Sequence, residues 1–135
     1  PCFLCARLRR KRLFEIAHEL GCQKIALGHN KDDIIETFFM NICYAGEVST
    51  MVPAQSFFDG LFTIIRPLAF VEEDLIRRFI RQKGLQIFQN PCPSASHTKR
   101  QEIKDMLHKL YRSNPKIKGN VFRAMHHVKL DYLLK

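Results

Sequence analysis

The sequence has 135 residues, the length of one domain or of part of one, and its hydrophobic share of 46% is enough to bury a core. No apolar run reaches the roughly 18 residues that a membrane-spanning helix requires, and the Arg/Lys cluster at 7–12 follows apolar residues, so we expect no signal peptide there. The net charge of +9 favours a polyanionic partner, although a basic protein without a nucleic-acid role explains the charge equally well.

The first half of the chain predicts two helices on either side of a strand. Apolar residues recur with helical spacing over about 5–20, and Gly21 stands where a helix-ending glycine is expected. The short apolar run 24–27 predicts a buried parallel strand. A second helix follows Asp33, and its broad apolar face indicates deep burial.

The second half begins with a predicted loop over 46–60 and a strand over 62–65 that Pro67 closes. A third helix is predicted over 71–83, with Gly84 as its stop, and a short strand over 85–88. Asn114-Pro115 separates a helix that contains Ile103 and Leu107 from a last helix that begins near 116.

This alternation of helices and strands is typical of an α/β fold with a parallel sheet and crossover helices. We divide the chain into an α/β part, 1–90, and a C-terminal part, 91–135, that holds a cysteine loop and helices. The chain begins at Pro1 with Cys2 already inside a motif. We therefore expect it to be part of a longer protein.

Three cysteines are candidate ligands of a metal or cluster. Cys2 and Cys5 form a C-x-x-C pair at the entrance to the first helix, a spacing that lets two thiolates reach one metal. Cys92, between two prolines, is the candidate third ligand. Three thiolates suit an iron–sulfur cluster with one open iron, whereas His29 or His97 would have to complete a zinc site.

The other two cysteines, Cys22 and Cys43, are expected to be packed in the core. Free cysteine behaves as a small hydrophobic residue at such positions, beside a predicted buried strand and on an apolar helix.

The segment 28–33 lies where a predicted strand ends and a helix begins, the edge at which α/β sheets bind ligands. Gly28 permits close approach of a phosphate, and Asp32 and Asp33 are candidate ligands of Mg²⁺. The alternative is that Asn30 caps the helix and both aspartates interact favourably with its dipole. Spacing alone slightly favours this second explanation.

Two basic patches adjoin the cysteines, and a phosphate backbone near the thiolates would explain both. A solvated helix face is the usual explanation of such charges. The patch residues that we predict to bind RNA are Arg7, Arg9, Arg10, Arg12, Lys99 and Arg100.

Four sequence blocks occur in an order that resembles one family. They are Cys-x-x-Cys-x-Arg-Leu-Arg-Arg (2–10), Lys-Ile-Ala-Leu-Gly-His-x-x-Asp-Asp (24–33), Thr-Phe-Phe-Met-Asn (37–41) and Ile-Arg-Pro-Leu (65–68). Over nearly its whole length the chain resembles the tRNA 2-thiocytidine synthetase group of PP-loop ATPases. Two of the blocks are shared with 2-thiouridine synthetases, which carry additional zinc-binding cysteine pairs that this chain does not contain.

The resemblance implies an adenine-nucleotide α-hydrolase-like fold and an enzyme that uses ATP, Mg²⁺ and a 4Fe–4S cluster to thiolate cytidine 32 of tRNA. It implies that Cys2, Cys5 and Cys92 hold the cluster, and that Gly28, His29, Asp32 and Asp33 form the nucleotide site. It thereby reverses the preference for a purely structural role of the two aspartates. The implied partners are tRNA and a sulfur donor, either a cysteine desulfurase or sulfide, in the cytoplasm and away from membranes, and a homodimer is left open.

The chain departs from the family in one respect. The family's Ser-Gly-Gly-x-Asp-Ser pyrophosphate loop precedes the cysteine pair, and these 135 residues contain no such segment. We therefore expect the 135 residues by themselves to be inactive. The alternatives are a 2-thiouridine synthetase and a non-enzymatic basic RNA-binding module with a cysteine-based zinc site.

Overall fold

The computed structural model describes residues 2–88, 92 and 98–134, with the side chain of Cys2 left out. These residues form two compact units that alternate along the chain: Pro1–Asn30 with Val52–Val71, and Lys31–Met51 with Glu72–Lys135. The predicted division after residue 90 falls outside the described residues and stays a prediction. Across the described residues, every helix is too short or too polar to cross a membrane.

The first unit consists of a long helix and a small mixed sheet. Helix α1 spans Cys2–Glu19 and ends at Gly21, whose φ of 65° lies in the left-handed region, as the sequence predicts. Strands β1 (Lys24–Ala26) and β3 (Phe62–Ile65) pair in parallel, which confirms the predicted crossover arrangement.

The third strand of this sheet, β2, spans Ala54–Phe57 inside the segment predicted as a loop. It pairs antiparallel with β3, so the sheet is mixed and its order is β1-β3-β2. Lys24 and Ala26 of β1 are exposed, so the prediction of a buried β1 is wrong.

The core of the first unit lies between α1 and the sheet. Phe62 and Ile64, which alternate along β3, are buried, and so is Ala17 of α1. The ring of Phe14 lies 5.3 Å from that of Phe62, centroid to centroid, and 5.2 Å from that of Phe58 in the turn between β2 and β3. These tilted and edge-to-face contacts are the favoured geometries for aromatic pairs.

The second unit is helical. Its α-helices are α2 (Lys31–Met40), α3 (Glu73–Lys83), α4 (Lys99–Ser113) and α5 (Lys116–Ala124). A π-helical segment, Asn41–Ala45, continues α2, and a short 3-10 helix spans Leu130–Tyr132. The predicted strand over 85–88 is wrong, because these residues are irregular and pair with no strand of the described sheet.

Helix α2 supplies the centre of the second unit's core. Ile35 is fully buried against Ile103 and Leu107 of α4, and partly buried residues of α2, α4 and α5 surround them. The predicted burial of the α2 face is therefore confirmed for Ile34 and Ile35. The core places the polar N-terminus of α2 beside α4 and α5.

Candidate functional site

The C-x-x-C pair lies in the first turns of α1. Cys2 and Cys5 are three residues apart on one helix, so both lie on the same side of it. The Cys5 side chain is exposed. A pair of thiolates on one helical turn is a suitable donor set for a soft metal or an iron–sulfur cluster.

The third predicted ligand, Cys92, lies in the second unit and is exposed in an irregular segment. Its neighbours at 89–91 and 93–97, including His97, lie outside the described residues. Within the described part of the chain, no group of three or more His, Cys, Asp or Glu side chains is arranged to hold a metal ion.

Cys22 and Cys43 are both exposed, so the prediction that they are packed in the core is wrong. Cys22 follows the left-handed Gly21, where the chain has left the buried face of α1. Cys43 lies in the π-helical segment, whose wider turn shifts side chains away from the register of α2.

The basic residues of α1 divide into two groups. Lys11 and Arg12 form ion pairs with Glu15 and Glu19 along the helix, at distances of 3.2–3.8 Å. The other three arginines are exposed and form no ion pair within the described residues: Arg7, Arg9 and Arg10. These three, close to Cys5 in the sequence, are therefore better placed than Arg12 to bind phosphate.

Gly28 and His29 follow the carboxyl end of β1 in the first unit. The Leu27 amide donates to the Ile65 carbonyl of β3 over 2.9 Å, so the parallel pairing extends to this point. A Cβ atom added to Gly28 would have no described atom within 4 Å. The other described glycines have the same open space, so the nucleotide-binding role of Gly28 stays a prediction.

Asp32, in the first turn of α2, is already engaged by protein groups. One oxygen lies 2.6 Å from Lys118 Nζ of α5, and the other accepts a hydrogen bond of 2.8 Å from the Glu73 amide at the start of α3. Asp32 therefore caps α3 and pairs with a lysine, which is a structural role. Each carboxylate oxygen can accept a further contact, so the role of Asp32 at a nucleotide site stays a prediction.

Asp33 follows Asp32 in the first turn of α2. Its Oδ1 lies 3.5 Å from Arg100 Nη1 of α4, longer than a hydrogen bond between charged groups. Its role at a nucleotide site, like that of Asp32, stays a prediction.

Arg100 and Lys99, the predicted RNA-binding residues of α4, have different surroundings. Arg100 also contacts Glu36 at 3.3 Å and the Thr37 hydroxyl at 3.1 Å, so its guanidinium links α4 to α2. Lys99 lies over the ring of Tyr44, 4.5 Å from its centroid, and is exposed. Both side chains are exposed, so their RNA-binding roles stay predictions, and Arg100 additionally holds α4 against α2.

A network of charged side chains surrounds Asp32 and Asp33, and sequence analysis missed most of it. Glu36 is 5% exposed, and burial raises its pKa although Lys104 and Arg100 partly oppose the shift. Lys104 also lies 2.9 Å from Glu73. One signal was available, because Glu36 is a carboxylate in the middle of the apolar face of α2.

The network borders a cleft of about 590 Å³ in the second unit, between the N-termini of α2 and α3 and the helices α4 and α5. Tyr111 lines it, and burial, with the nearby charge of Asp32, raises the pKa of its hydroxyl strongly. Lys118 lines it too. Burial alone would lower the pKa of this lysine, but the hydrogen bond to Asp32 raises it.

Comparison with known proteins identifies relatives of the chain. The PP-loop domain family matches residues 4–111. The tRNA-cytidine(32) 2-sulfurtransferases of Polynucleobacter necessarius subsp. necessarius (strain STIR1), Alkalilimnicola ehrlichii and Cellvibrio japonicus are 42%, 41% and 43% identical to it. These alignments cover 98% of the chain but 42–44% of the relatives, so the chain spans less than half of their length.

A solved structure has the same fold. The U34-tRNA thiolase NcsA from Methanococcus maripaludis, with its 4Fe-4S cluster, superposes with a TM-score of 0.75 at 27% sequence identity. The superposition covers 99% of this chain and 45% of that protein. With a family match that includes both units and a fold shared over almost all residues, the chain belongs to the PP-loop domain family.

Proposed function

We propose that the chain is part of a PP-loop enzyme that thiolates tRNA and converts cytidine 32 to 2-thiocytidine with ATP. The observation that carries the proposal is helix α1. In it a C-x-x-C pair is followed within two turns by three arginines that form no ion pair with any described residue. The identity of over 40% to tRNA-cytidine(32) 2-sulfurtransferases supports the same substrate.

In this proposal the O2 atom of the cytidine attacks the α-phosphate of ATP, and pyrophosphate leaves. Sulfide then attacks C2, the C2–O bond breaks, and AMP leaves with the oxygen. Gly28, His29, Asp32 and Asp33 contribute to the nucleotide site, and Mg²⁺ would accompany the ATP phosphates. Asp32 also has a structural role, because it holds α3 and Lys118 in place.

Cys2, Cys5 and Cys92 would hold the 4Fe–4S cluster, which supplies an open iron that can bind sulfide. The side chains of two of these residues are described, and both are exposed: Cys5 on α1 and Cys92 in an irregular segment. Arg7, Arg9 and Lys99 would contact tRNA phosphates. We further propose a cytoplasmic location and a cysteine desulfurase or sulfide as the sulfur donor.

The test is the analysis of tRNA nucleosides by mass spectrometry in a strain that lacks the gene. We expect loss of 2-thiocytidine, its return with the intact gene, and no return with Cys92→Ser. Cys43→Ser is the matched control, an exposed cysteine outside the site, and should restore 2-thiocytidine fully.

The intact protein, purified without oxygen, should be brown and contain iron and sulfide. Two results together would favour the zinc-containing RNA-binding module instead. The first is a colourless protein with stoichiometric zinc. The second is tRNA binding that survives Cys92→Ser without any loss of thiolation. Light scattering of the same sample distinguishes a monomer from a homodimer.

Thiolation of a uridine is the second candidate, because the matching solved structure is a U34-tRNA thiolase. The lower identity to that protein, 27%, makes it the weaker candidate. Loss of 2-thiouridine with retention of 2-thiocytidine in the deletion strain would support it and overturn the cytidine assignment.

A further inference from the structure

A buried arginine lies directly after β3, in the first unit. Arg66 is 7% exposed, and both of its backbone polar groups are paired: its amide donates to the Pro53 carbonyl over 2.8 Å, and its carbonyl accepts from the Ala69 amide over 3.0 Å. The second of these bonds closes a turn with Pro67 at its second position, a favoured place for proline. The position of Arg66 is therefore well defined by the backbone.

The guanidinium of Arg66 is only partly satisfied. Its Nη1 donates to the Val52 carbonyl over 2.6 Å. Its Nε is buried and has no hydrogen-bond partner among the described residues, and none of their carboxylates forms an ion pair with it. Buried polar groups are almost always paired, so an orphaned donor on a buried cation indicates that a further acceptor belongs there.

A charged side chain that acts on Arg66, Arg10, has the same sign. Burial lowers the pKa of the Arg66 guanidinium, and the positive charge of Arg10 on α1 lowers it further. Arg10 is exposed and, within the described part of the chain, forms no ion pair of its own. An anion bound to both groups would remove their repulsion and satisfy the unpaired Nε.

The position of Arg66 in the sheet suggests which anion. β1 and β3 are parallel, and the Leu27 amide bonds to the Ile65 carbonyl, so Arg66 follows the carboxyl end of one strand while Gly28 follows the carboxyl end of the other. Ligands of α/β proteins bind at such edges. The planar guanidinium, with its fork of donors, matches the oxygens of a phosphate group.

We propose that Arg66, assisted by Arg10, binds a phosphate group of the adenine nucleotide, an assignment that rests on the function proposed above. A nucleotide phosphate can reach a side chain that is 7% exposed, whereas an RNA backbone is better matched by exposed residues such as Arg7 and Arg9. Arg66 is thus a substrate-binding residue, and its bond to Val52 orients it.

The test compares ATP binding and tRNA binding by the intact protein and its Arg66→Met and Arg66→Lys variants. We expect Arg66→Met to weaken ATP binding about tenfold or more, because it removes a charge-assisted hydrogen bond to the phosphate. Its tRNA affinity should change less than about twofold. The ATP affinity of Arg66→Lys should lie between those of Arg66→Met and the unmodified protein, because lysine keeps the charge but not the planar fork of donors. Arg78→Met, which removes an exposed arginine of α3, is the control and should bind ATP normally.

Several outcomes would overturn the assignment. Unchanged ATP affinity in Arg66→Met would make Arg66 purely structural, and a selective loss of tRNA affinity would transfer it to the RNA backbone. If neither Arg66 variant folds, Arg10→Met, at an exposed position, must still weaken ATP binding. If the unmodified protein binds no ATP, the proposed function fails, and binding of inorganic pyrophosphate then tests the anion site alone. The anion site is supported if the unmodified protein binds pyrophosphate and Arg66→Met does not. It is overturned if the unmodified protein binds no pyrophosphate.

Discussion

At the scale of single residues, Asp32 shows how a side chain that fits a nucleotide motif can serve the fold. Its two oxygens bind Lys118 and the Glu73 amide, and both side chains of the ion pair are mostly buried, at 12% and 15% exposure. A pair in such surroundings is screened little by water. Removing one partner leaves a buried charge without its counterion.

We therefore expect Lys118→Met to lower the free energy of unfolding by about 2 kcal/mol, within the range for hydrogen bonds to charged groups. Urea unfolding of the intact protein measures this change. Lys116→Met, which removes an exposed lysine from the same helix, should cost less than about 0.5 kcal/mol. When Asp32→Asn is already present, Lys118→Met should lower the free energy of unfolding by a smaller amount. If the decrease is the same with and without Asp32→Asn, the two residues do not interact.

Glu36 leads to a prediction about pH. Because burial raises its pKa above the unfolded value, the stability it contributes is present at low pH and is lost as the pH rises through the raised pKa. Glu36→Gln does not titrate. The melting temperature of this variant, relative to the unmodified protein, should therefore increase between about pH 4 and about pH 7.

The control for this measurement is Asp131→Asn, which changes an exposed carboxylate in the 3-10 helix. The melting temperature of Asp131→Asn, relative to that of the unmodified protein, should stay nearly constant over the same pH range. The raised pKa of Glu36 would be contradicted if the melting temperature of Glu36→Gln, relative to the unmodified protein, stayed constant or decreased with increasing pH.

At the scale of secondary-structure elements, the N-terminus of α4 brings Lys99, Arg100 and Lys104 into place. The Thr98 hydroxyl accepts a hydrogen bond from the Gln101 amide over 3.2 Å, so this helix has a side-chain cap. No other cap pairs the first amides of α4 with a side chain among the described contacts.

Thr98→Ala should lower the free energy of unfolding by about 1 kcal/mol, the usual value for a lost N-cap. Thr98→Ser keeps the hydroxyl and should be close to neutral. Thermal unfolding followed by circular dichroism distinguishes the two variants, and equal melting temperatures would show that the cap contributes nothing.

At the scale of the whole molecule, only some of the basic residues behind the net charge of +9 are available to bind a polyanion. The ion pairs of Lys11, Arg12 and Arg100 engage part of it within the fold. Arg7, Arg9 and Arg10 of α1 form no such ion pair in the part of the chain that the structure describes.

If Arg9 binds a tRNA phosphate, Arg9→Gln should weaken tRNA binding and reduce the slope of log K against log salt by about one unit. Filter binding at several salt concentrations measures the slope. Arg78→Gln, at an exposed site on α3, should leave it unchanged, and an unchanged slope in Arg9→Gln would remove Arg9 from the interface.

Much of the fold follows from local signals in the sequence. Gly21 and Gly84 end helices at positive φ, and Asn114-Pro115 separates α4 from α5, because backbone sterics act over a few residues. The resemblance to PP-loop enzymes also depends only on motif order. Both predictions were confirmed, the latter by the family match over 4–111.

Other features were decided by tertiary structure alone. β2 was missed, and 85–88 was wrongly predicted as a strand, because a strand exists only where a partner strand offers its backbone. The ion pair of Asp32 with Lys118 joins residues 86 positions apart, and the unpaired Nε of Arg66 depends on what surrounds it. Local sequence signals were enough to predict the helices, most of their ends and the family. The partners of the charged side chains depend on packing between elements that are distant in the chain, which no local signal encodes.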